Sequence, residues 1–465
     1  MTTHVICIGG SGLRVLRSMV MLLSSGYDIN SDIKAYIIDP HLSSTEYQFA
    51  TSLIQRYQSI RGKGGNTGFF QVQLDVDSRQ PNGMTTITGN QTFGDFIQYN
   101  QMDSASKQIV DILYNGGNIT NSMSVGFKGH PNVGSVVLQD LVNDNWFTAN
   151  FSNLPQNDRV VVVGSLFGGT GASGIQTIAQ ALRAKNPQLE IAAVTFVPYY
   201  TLLDPPQNVS KDVDSALWDI KSWAALKYYE NANFGISSFY VVGDGSTDAI
   251  PYDEVNQGNK AHFVELVAVS AIKHFIQTAA NNLQKWNMFF TQWNQSVQVN
   301  LDYNQWGVEL KEEMACLANF YAFGKFFNMM REDKFYPVNK LFYEKINKNS
   351  DVNARLKDVE NLIFSADGAN DSFMRWIVEL RENKRSFTAV NTADVVYKNN
   401  SFSFTPRTPN AVYNGTNVLK DVNMSDYFTA VNKAYRKSLK LEDQMDVVTK
   451  FLNICYKGIS SVNNK

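Results

Sequence analysis

The run Arg159-Val160-Val161-Val162-Val163 constrains the fold more than any other part of this chain. β-branched residues without polar alternation describe a strand covered on both faces, as in the middle of a parallel sheet. The run passes directly into Gly164-Ser165-Leu166-Phe167-Gly168-Gly169-Thr170-Gly171-Ala172-Ser173-Gly174, after which Ile175, Ile178, Ala179 and Leu182 share one helical face. The same order opens the chain: an apolar strand from His4 to Ile8, then Gly9-Gly10-Ser11-Gly12, then Leu13, Leu16, Val20 and Leu23 at helical spacing. Lys34 to Asp39 is another buried strand, ending on an acid before Pro40. Strands alternating with helices predict an α/β fold with a mainly parallel, Rossmann-like sheet.

The rest of the chain extends this reading. Residues 59–100 are polar, rich in Gly, Asn, Gln and Thr, and predict long loops with room for a hairpin. A helix is expected near 104–114, and Gly129-His130-Pro131-Asn132-Val133-Gly134 reads as a turn before another helix. A strand from Glu190 to Val197, a helix over about 214–231 and a strand from Ser238 to Val242 continue the alternation. A long helix is expected from Asn259 to Leu283, with Val264, Val267, Ala268, Ala271, Ile272 and Phe275 on its buried side. Val297 to Leu301 reads as a short strand or loop, and Leu310, Met314, Leu317, Phe320, Tyr321 and Phe327 mark a further helix. A boundary near 285–300 divides the chain into a first α/β unit, 1–285, and a second, 286–465.

Composition narrows the function classes. Lys plus Arg total 41 against 43 Asp plus Glu, which argues against a broad attraction to nucleic acid or to an anionic membrane. Cys7, Cys316 and Cys455 are far apart and form neither a disulfide framework nor a zinc cluster. No apolar run reaches transmembrane length, since Val15 to Leu23 is interrupted by Arg17 and Ser18 and reads as a helix packed on a sheet. The opening Met1-Thr2-Thr3-His4 lacks the basic region of a signal peptide, and a soluble cytoplasmic protein is expected.

Glycines at the end of a buried strand let the backbone approach a phosphate, and the amides of the next helical turn then point at the anion. Gly168-Gly169-Thr170-Gly171-Ala172-Ser173-Gly174 has this character, with Thr170 and Ser173 as additional side-chain donors. The same loop is also compatible with a tight turn in any α/β protein. It lacks the lysine of a P-loop. The first loop offers Gly10-Ser11-Gly12-Leu13-Arg14-Val15, one glycine short of a dinucleotide fingerprint, with Asp39 at a plausible distance for a ribose. A dinucleotide-binding oxidoreductase needs only one such loop, whereas this chain has two.

The second loop resembles the GGGTG[ST]G signature of the tubulin and FtsZ superfamily, with Phe167-Gly168-Gly169 for the glycine triplet and Ala172-Ser173 where one residue usually stands. The order of elements over roughly 4–285 is similar too, and the chain looks closer to the bacterial tubulin-like proteins than to tubulin or FtsZ proper. The resemblance implies a GTP- or GDP-binding protein, with Mg, that assembles head-to-tail into filaments. Gly9 to Gly12 would then contact the α and β phosphates, residues 168–174 the β and γ side, and Asn259 the guanine edge. It also implies that a loop NxDxx[DE] completes the neighbouring subunit's site for hydrolysis. The best match is Asn300-Leu301-Asp302-Tyr303-Asn304-Gln305, in which Gln305 stands where the final acid is expected. Glutamine can orient water but cannot act as a carboxylate base, so hydrolysis would be slow or absent. A polar loop matching by chance explains these residues equally well. Glu309, Glu312 and Glu313 are either substitutes for the missing acid or a surface helix face. Without turnover, the chain would act as a nucleotide-gated scaffold recruiting a protein partner through its C-terminal part.

Three further groups stand outside these motifs. Asp39 would touch a ribose, help hold magnesium through water, or cap a turn. His262 and Glu265, three apart on a helix, read as a structural pair rather than metal ligands, because no third ligand lies near. Trp286, Phe289, Phe290 and Trp293 read as packing aromatics.

Overall fold

The computed structural model describes residues 1–62, 68–77, 91–114, 116–207, 211, 213–245, 247–253, 259–291, 302–303, 308–332, 350–365, 371–384, 387, 390, 395–398, 401–404, 410–413, 419–422, 424–438 and 446–463. Its strands are β1 (Thr2–Ile8), β2 (Asp32–Ile38), β3 (Leu74–Val76), β4 (Arg159–Ser165), β5 (Glu190–Phe196), β6 (Tyr200–Leu202), β7 (Ser238–Asp244), β8 (Asp248–Ile250) and β9 (Trp286–Thr291). Seven of them form one sheet in the order β3-β2-β1-β4-β5-β7-β9, and every neighbouring pair is parallel. The α/β expectation therefore holds, with β6 and β8 paired separately. Trp286 and Phe289, expected as packing residues, belong to the outermost strand of this sheet.

The helices of the first part are α1 (Gly9–Ser24), α2 (Thr45–Arg61), α3 (Phe93–Phe96), α4 (Ser104–Leu113), α5 (Gly116–Thr120), α6 (Pro131–Asn143), α7 (Asn145–Phe151), α8 (Thr170–Lys185), α9 (Trp218–Asn231) and α10 (Phe263–Gln277). Alternate residues of the central strands serve opposite faces of the sheet. Val5, Cys7, Val161 and Val163 join the core built with α1 and α10, while Ile6, Ile8, Val160 and Val162 join the core built with α6 and α8. Both faces are dry, which is why Val160 to Val163 has no polar position.

Helix α2 and strand β3 were hidden in sequence. Their apolar positions are diluted by polar ones, and α2 is marked mainly by the cap at Ser44, whose hydroxyl accepts from the Tyr47 amide at 3.2 Å. Among the described residues of 59–100 there is no hairpin; Leu74–Val76 pairs parallel to β2 instead. The central helix is shorter than the expected 259–283. It begins at Phe263 because the preceding segment bonds to side chains, and it ends at Gln277, after which Thr278 and Ala279 are extended.

Beyond β9 come α11 (Lys311–Glu332), α12 (Ser350–Phe364), α13 (Phe373–Glu382), α14 (Met424–Ser438) and α15 (Val447–Asn463). The strands described there are three short antiparallel ribbons, Asp302–Tyr303 with Val308–Glu309, Val395–Lys398 with Ser401–Phe404, and Asn410–Tyr413 with Leu419–Val422. Apolar residues of α11, α12, α13 and α15 join the α1/α10 core. Helix α1 is consequently enclosed on both sides, and its polar positions are not a solvent face. Ser18 Oγ accepts from Trp376 Nε1 at 3.3 Å. Arg17 reaches Asp371 at 2.5 and 2.6 Å and Glu379 at 2.8 Å. Among the described residues, no helix is long and apolar enough to cross a membrane.

Removing one partner from a buried ion cluster leaves the others without compensation. Arg17→Met is expected to destabilise the chain by about 3–5 kcal/mol in urea unfolding; a loss of under about 1 kcal/mol would show that Arg17 does not hold α13 to α1.

Candidate nucleotide-binding cavity

The strand order reverses between β1 and β4. The loops leaving these two strands diverge to opposite sides and open a crevice at the carboxyl edge of the sheet. A cavity of ≈ 180 Å³ lies there, lined by Ile8 to Ser11 from one strand end and by Ser165 and Phe167 to Gly171 from the other.

The two glycine-rich segments are for the most part first turns of helices rather than loops. Helix α1 starts at Gly9 and α8 at Thr170, and neither N-cap, Ile8 or Gly169, makes a side-chain capping bond. The first amides of a helix have no intrahelical acceptor, and the positive end of the helix dipole lies with them. Gly9 adopts φ +67°, and a Cβ there would come within 3.2 Å of the Gly171 amide nitrogen and of Thr170 Cβ. The two turns thus pack directly on each other. A Cβ on Gly12 would stand 2.8 Å from the Cys7 carbonyl carbon and 2.9 Å from the Val163 oxygen, and one on Gly171 would stand 2.8 Å from the Ser165 amide. Gly10 differs, with nothing within 4 Å of its Cβ position.

Nine of the expected binding residues line the cavity: Gly9, Gly10, Ser11, Asp39, Gly168, Gly169, Thr170, Gly171 and Asn259. Gly12, Ala172, Ser173 and Gly174 do not line it. Gly12 seats α1 on the sheet, and a Cβ on Gly174 would meet Ile8 at 2.8 Å. Ser173 is not the donor it was expected to be, since its hydroxyl donates to the carbonyls of Gly169 and Thr170 at 2.9 Å each. This back-bonding is the usual fate of a hydroxyl inside a helix.

A third turn was not recognised from sequence as part of the site. Val125 to Gly129 closes the cavity opposite α1. Gly126 and Gly129 have φ +88° and +77°, and Lys128 between them has φ +42°. A Cβ on Gly169 would stand 2.8 Å from the Phe127 carbonyl carbon and 2.9 Å from the Gly129 nitrogen, so this turn lies flat against the signature loop. The sequence signal was Gly126-Phe127-Lys128-Gly129 just before the helix-opening Pro131. Its packing partner, Gly169, is about forty residues away, and only the fold brings them together.

The remaining walls combine acids, a buried arginine and aromatics. Asp39 follows β2, and its carboxylate accepts the His41 amide at 2.8 Å, so it caps the turn and also lines the cavity. Burial pushes its carboxyl up to about 7, the His41 amide pulls it down, and Glu46 raises it further. Glu46 also lines the cavity, with Arg14 Nη1 3.9 Å away. Arg14 is held by Glu265 at 2.6 Å and by the carbonyls of Asn259 and Lys260 at 3.0 and 2.5 Å. Phe167, Tyr200 and Trp218 form an aromatic wall, with ring centroids 4.7 to 5.9 Å apart. Asn259 Oδ1 is buried with no hydrogen-bond partner.

No protein-family model matches the chain, and no curated protein matches it in sequence. The chemistry open to the chain is therefore that of this cavity and of the residues that build it. Among the residues expected for hydrolysis, Asn300 and Gln305 lie outside the described residues, and Asp302 belongs to a two-residue strand paired with Val308–Glu309. Glu313 is no surface residue: its Oε1 accepts from Tyr27 and Ser270 at 2.7 Å each. His262 and Glu265 form a reciprocal helix cap, with the Val264 amide donating to His262 Nδ1 at 3.2 Å and the His262 amide to Glu265 at 3.1 Å.

Asp39 gives the cavity a pH signature. Its carboxyl ionises near 4 in the unfolded chain and near 7 in the folded one, so the folded state holds the extra proton and loses stability as pH rises across that window. Asp39→Asn removes this cost and retains the acceptor for His41. Relative to the native chain, the variant should gain up to ~4 kcal/mol between pH 4 and pH 7 in urea midpoints. A difference independent of pH would mean that Asp39 is already ionised at the lower end.

Proposed function

We propose that this chain binds a guanine nucleotide in the cavity between α1 and α8, and assembles head-to-tail in the manner of the tubulin and FtsZ superfamily. The observation that carries the proposal is the convergence of two helix starts, both without side-chain caps, on one cavity at the switch point of a parallel sheet. That arrangement suits phosphate, because main-chain amides and helix dipoles act together and glycine removes the Cβ that would keep an anion away. Lys128 on the third turn adds a cationic side chain to the lining, and the Thr170 hydroxyl adds a donor. Asp39 and Glu46 offer carboxylates on the α2 side. Amides with carboxylates nearby fit a polyphosphate carrying Mg, whose bound ion would neutralise phosphate charge.

The preference for guanine and the head-to-tail mode come from the resemblance at residues 168–174. Two exposed apolar helix faces are consistent with protein–protein contact: Ile109, Ile112 and Leu113 on α4, and Ile220 and Trp223 on α9. Contiguous apolar surface of this kind marks interaction sites in soluble proteins. Two unlike faces suit a heterologous, non-closing contact.

The test combines GTP and ATP binding with phosphate release and light scattering over a range of protein concentrations. Selective GTP binding, with scattering and per-molecule turnover rising together, is expected of an assembling GTPase. Binding and scattering without turnover would leave the nucleotide-gated scaffold. Binding of NAD(P) or FAD in place of either nucleotide would overturn the proposal in favour of an oxidoreductase. Within the same assay, Gly12→Ala should abolish binding through displacement of α1, whereas the uncrowded Gly10→Ala should fold normally and bind more weakly.

A further inference from the structure

The segment that carries Asn259 into the cavity has no regular structure until α10 begins at Phe263. Its main chain is satisfied almost entirely by side chains. Arg14 donates to the carbonyls of Asn259 and Lys260. The Ala261 amide donates to Glu379 at 3.0 Å, and the Ala261 carbonyl accepts from Asn383 Nδ2 at 2.8 Å. The His262 amide donates to Glu265. Two of these bonds come from α1, the helix that opens the cavity, two from α13 and the residue just after it, and one from α10 itself.

The α13 side of the grip is itself anchored. Glu379 accepts from Arg17 Nη1 at 2.8 Å and from Arg375 Nε at 2.8 Å. Burial alone would raise its carboxyl, but Arg17 and Arg375 more than offset that and hold it well below the usual range. A second cavity, ≈ 330 Å³, lies between α1, α2 and α13, and it shares Arg14, Glu46 and Asn259 with the first. Residues of α13 therefore form the far wall of the space that Asn259 overlooks.

We propose that Glu379 and Asn383 are positioning residues for the candidate nucleotide site: by holding the Ala261 peptide they place Asn259, so the end of the site away from the glycines is set by α13 and the residue just after it. This rests on the nucleotide reading above. It assigns the two ends of the ligand to different parts of the chain. The phosphate end depends on the first turns of α1 and α8, which these residues do not touch; Glu379 meets α1 at Arg17, about two turns further along the helix. The nucleoside end depends on the position of residues 259–261, which they do. The dependence is reciprocal, because a ligand that engages Asn259 must favour the arrangement in which α13 is docked.

The experiment compares GTP with inorganic tripolyphosphate by calorimetric titration of the full chain, in the native form and in Asn383→Ala and Glu379→Gln. Glu379→Gln keeps the side-chain size while removing the charge. Asn383→Ala removes the donor to the Ala261 carbonyl and should weaken GTP about tenfold while leaving tripolyphosphate within about twofold; Glu379→Gln, which keeps an acceptor for the Ala261 amide, should weaken GTP less. A parallel fall of both probes would show a general loss of structure and overturn the inference. So would unchanged GTP affinity in both variants, with the native chain binding GTP normally. If the native chain takes up neither probe, the nucleotide reading itself fails and this inference falls with it. Native uptake of tripolyphosphate without GTP would retain the anion site and overturn the nucleoside end.

Discussion

The enclosure of α1 is the constraint on which most of this structure depends. The helix lies with one side on the sheet and the other against the C-terminal helices, so almost no part of it meets water. It nevertheless carries Arg14 and Arg17, about one turn apart. A buried guanidinium must be matched by acids and carbonyls, or the fold is lost. Arg14 draws in Glu265 and the carbonyls before α10, and Arg17 draws in Asp371 and Glu379. Two residues of one helix thus fix where the central helix begins and where the C-terminal helices sit. That same helix opens the candidate site at its first turn, so the site and the long-range architecture share one rigid element.

The candidate site also shows why glycine is used in two different ways. At Gly12, Gly171 and Gly174 the absent Cβ lets helices lie close on strands, and these positions serve packing. At Gly10 the Cβ position is open, and the absent side chain leaves cavity. Composition cannot separate these uses, because both appear as glycine after an apolar run. The separation comes from direction: in the first turn of a helix, residues on one side face the sheet and those on the other face the opening.

Much of the sheet was legible in sequence. Five of its seven strands were expected, since a strand buried on both faces shows as an apolar run. β3 was not, because three residues in a polar stretch carry no periodic signal. β9 was read as scattered aromatics, since an edge strand need not be apolar throughout. Nine of the thirteen expected binding residues do line one cavity, while Ser173 was misassigned because a hydroxyl in a helix turns to its own backbone. The turn from Val125 to Gly129 was missed for a different reason. A short turn gains its meaning from what it faces, and it faces residues far along the chain.

The sequence by itself determined the alternation of strands and helices, the two glycine-opened helix starts and the identity of the residues that crowd them. These are local properties, written in the period of apolar residues and in the absence of Cβ atoms. Tertiary structure alone decided that both starts open on one cavity, that a third turn with Lys128 closes it, and that Glu379 and Asn383 hold the segment bearing Asn259. Those relations join residues from about forty to about 160 positions apart. They follow from strand order and from the pairing of buried charges, neither of which any local window of sequence contains.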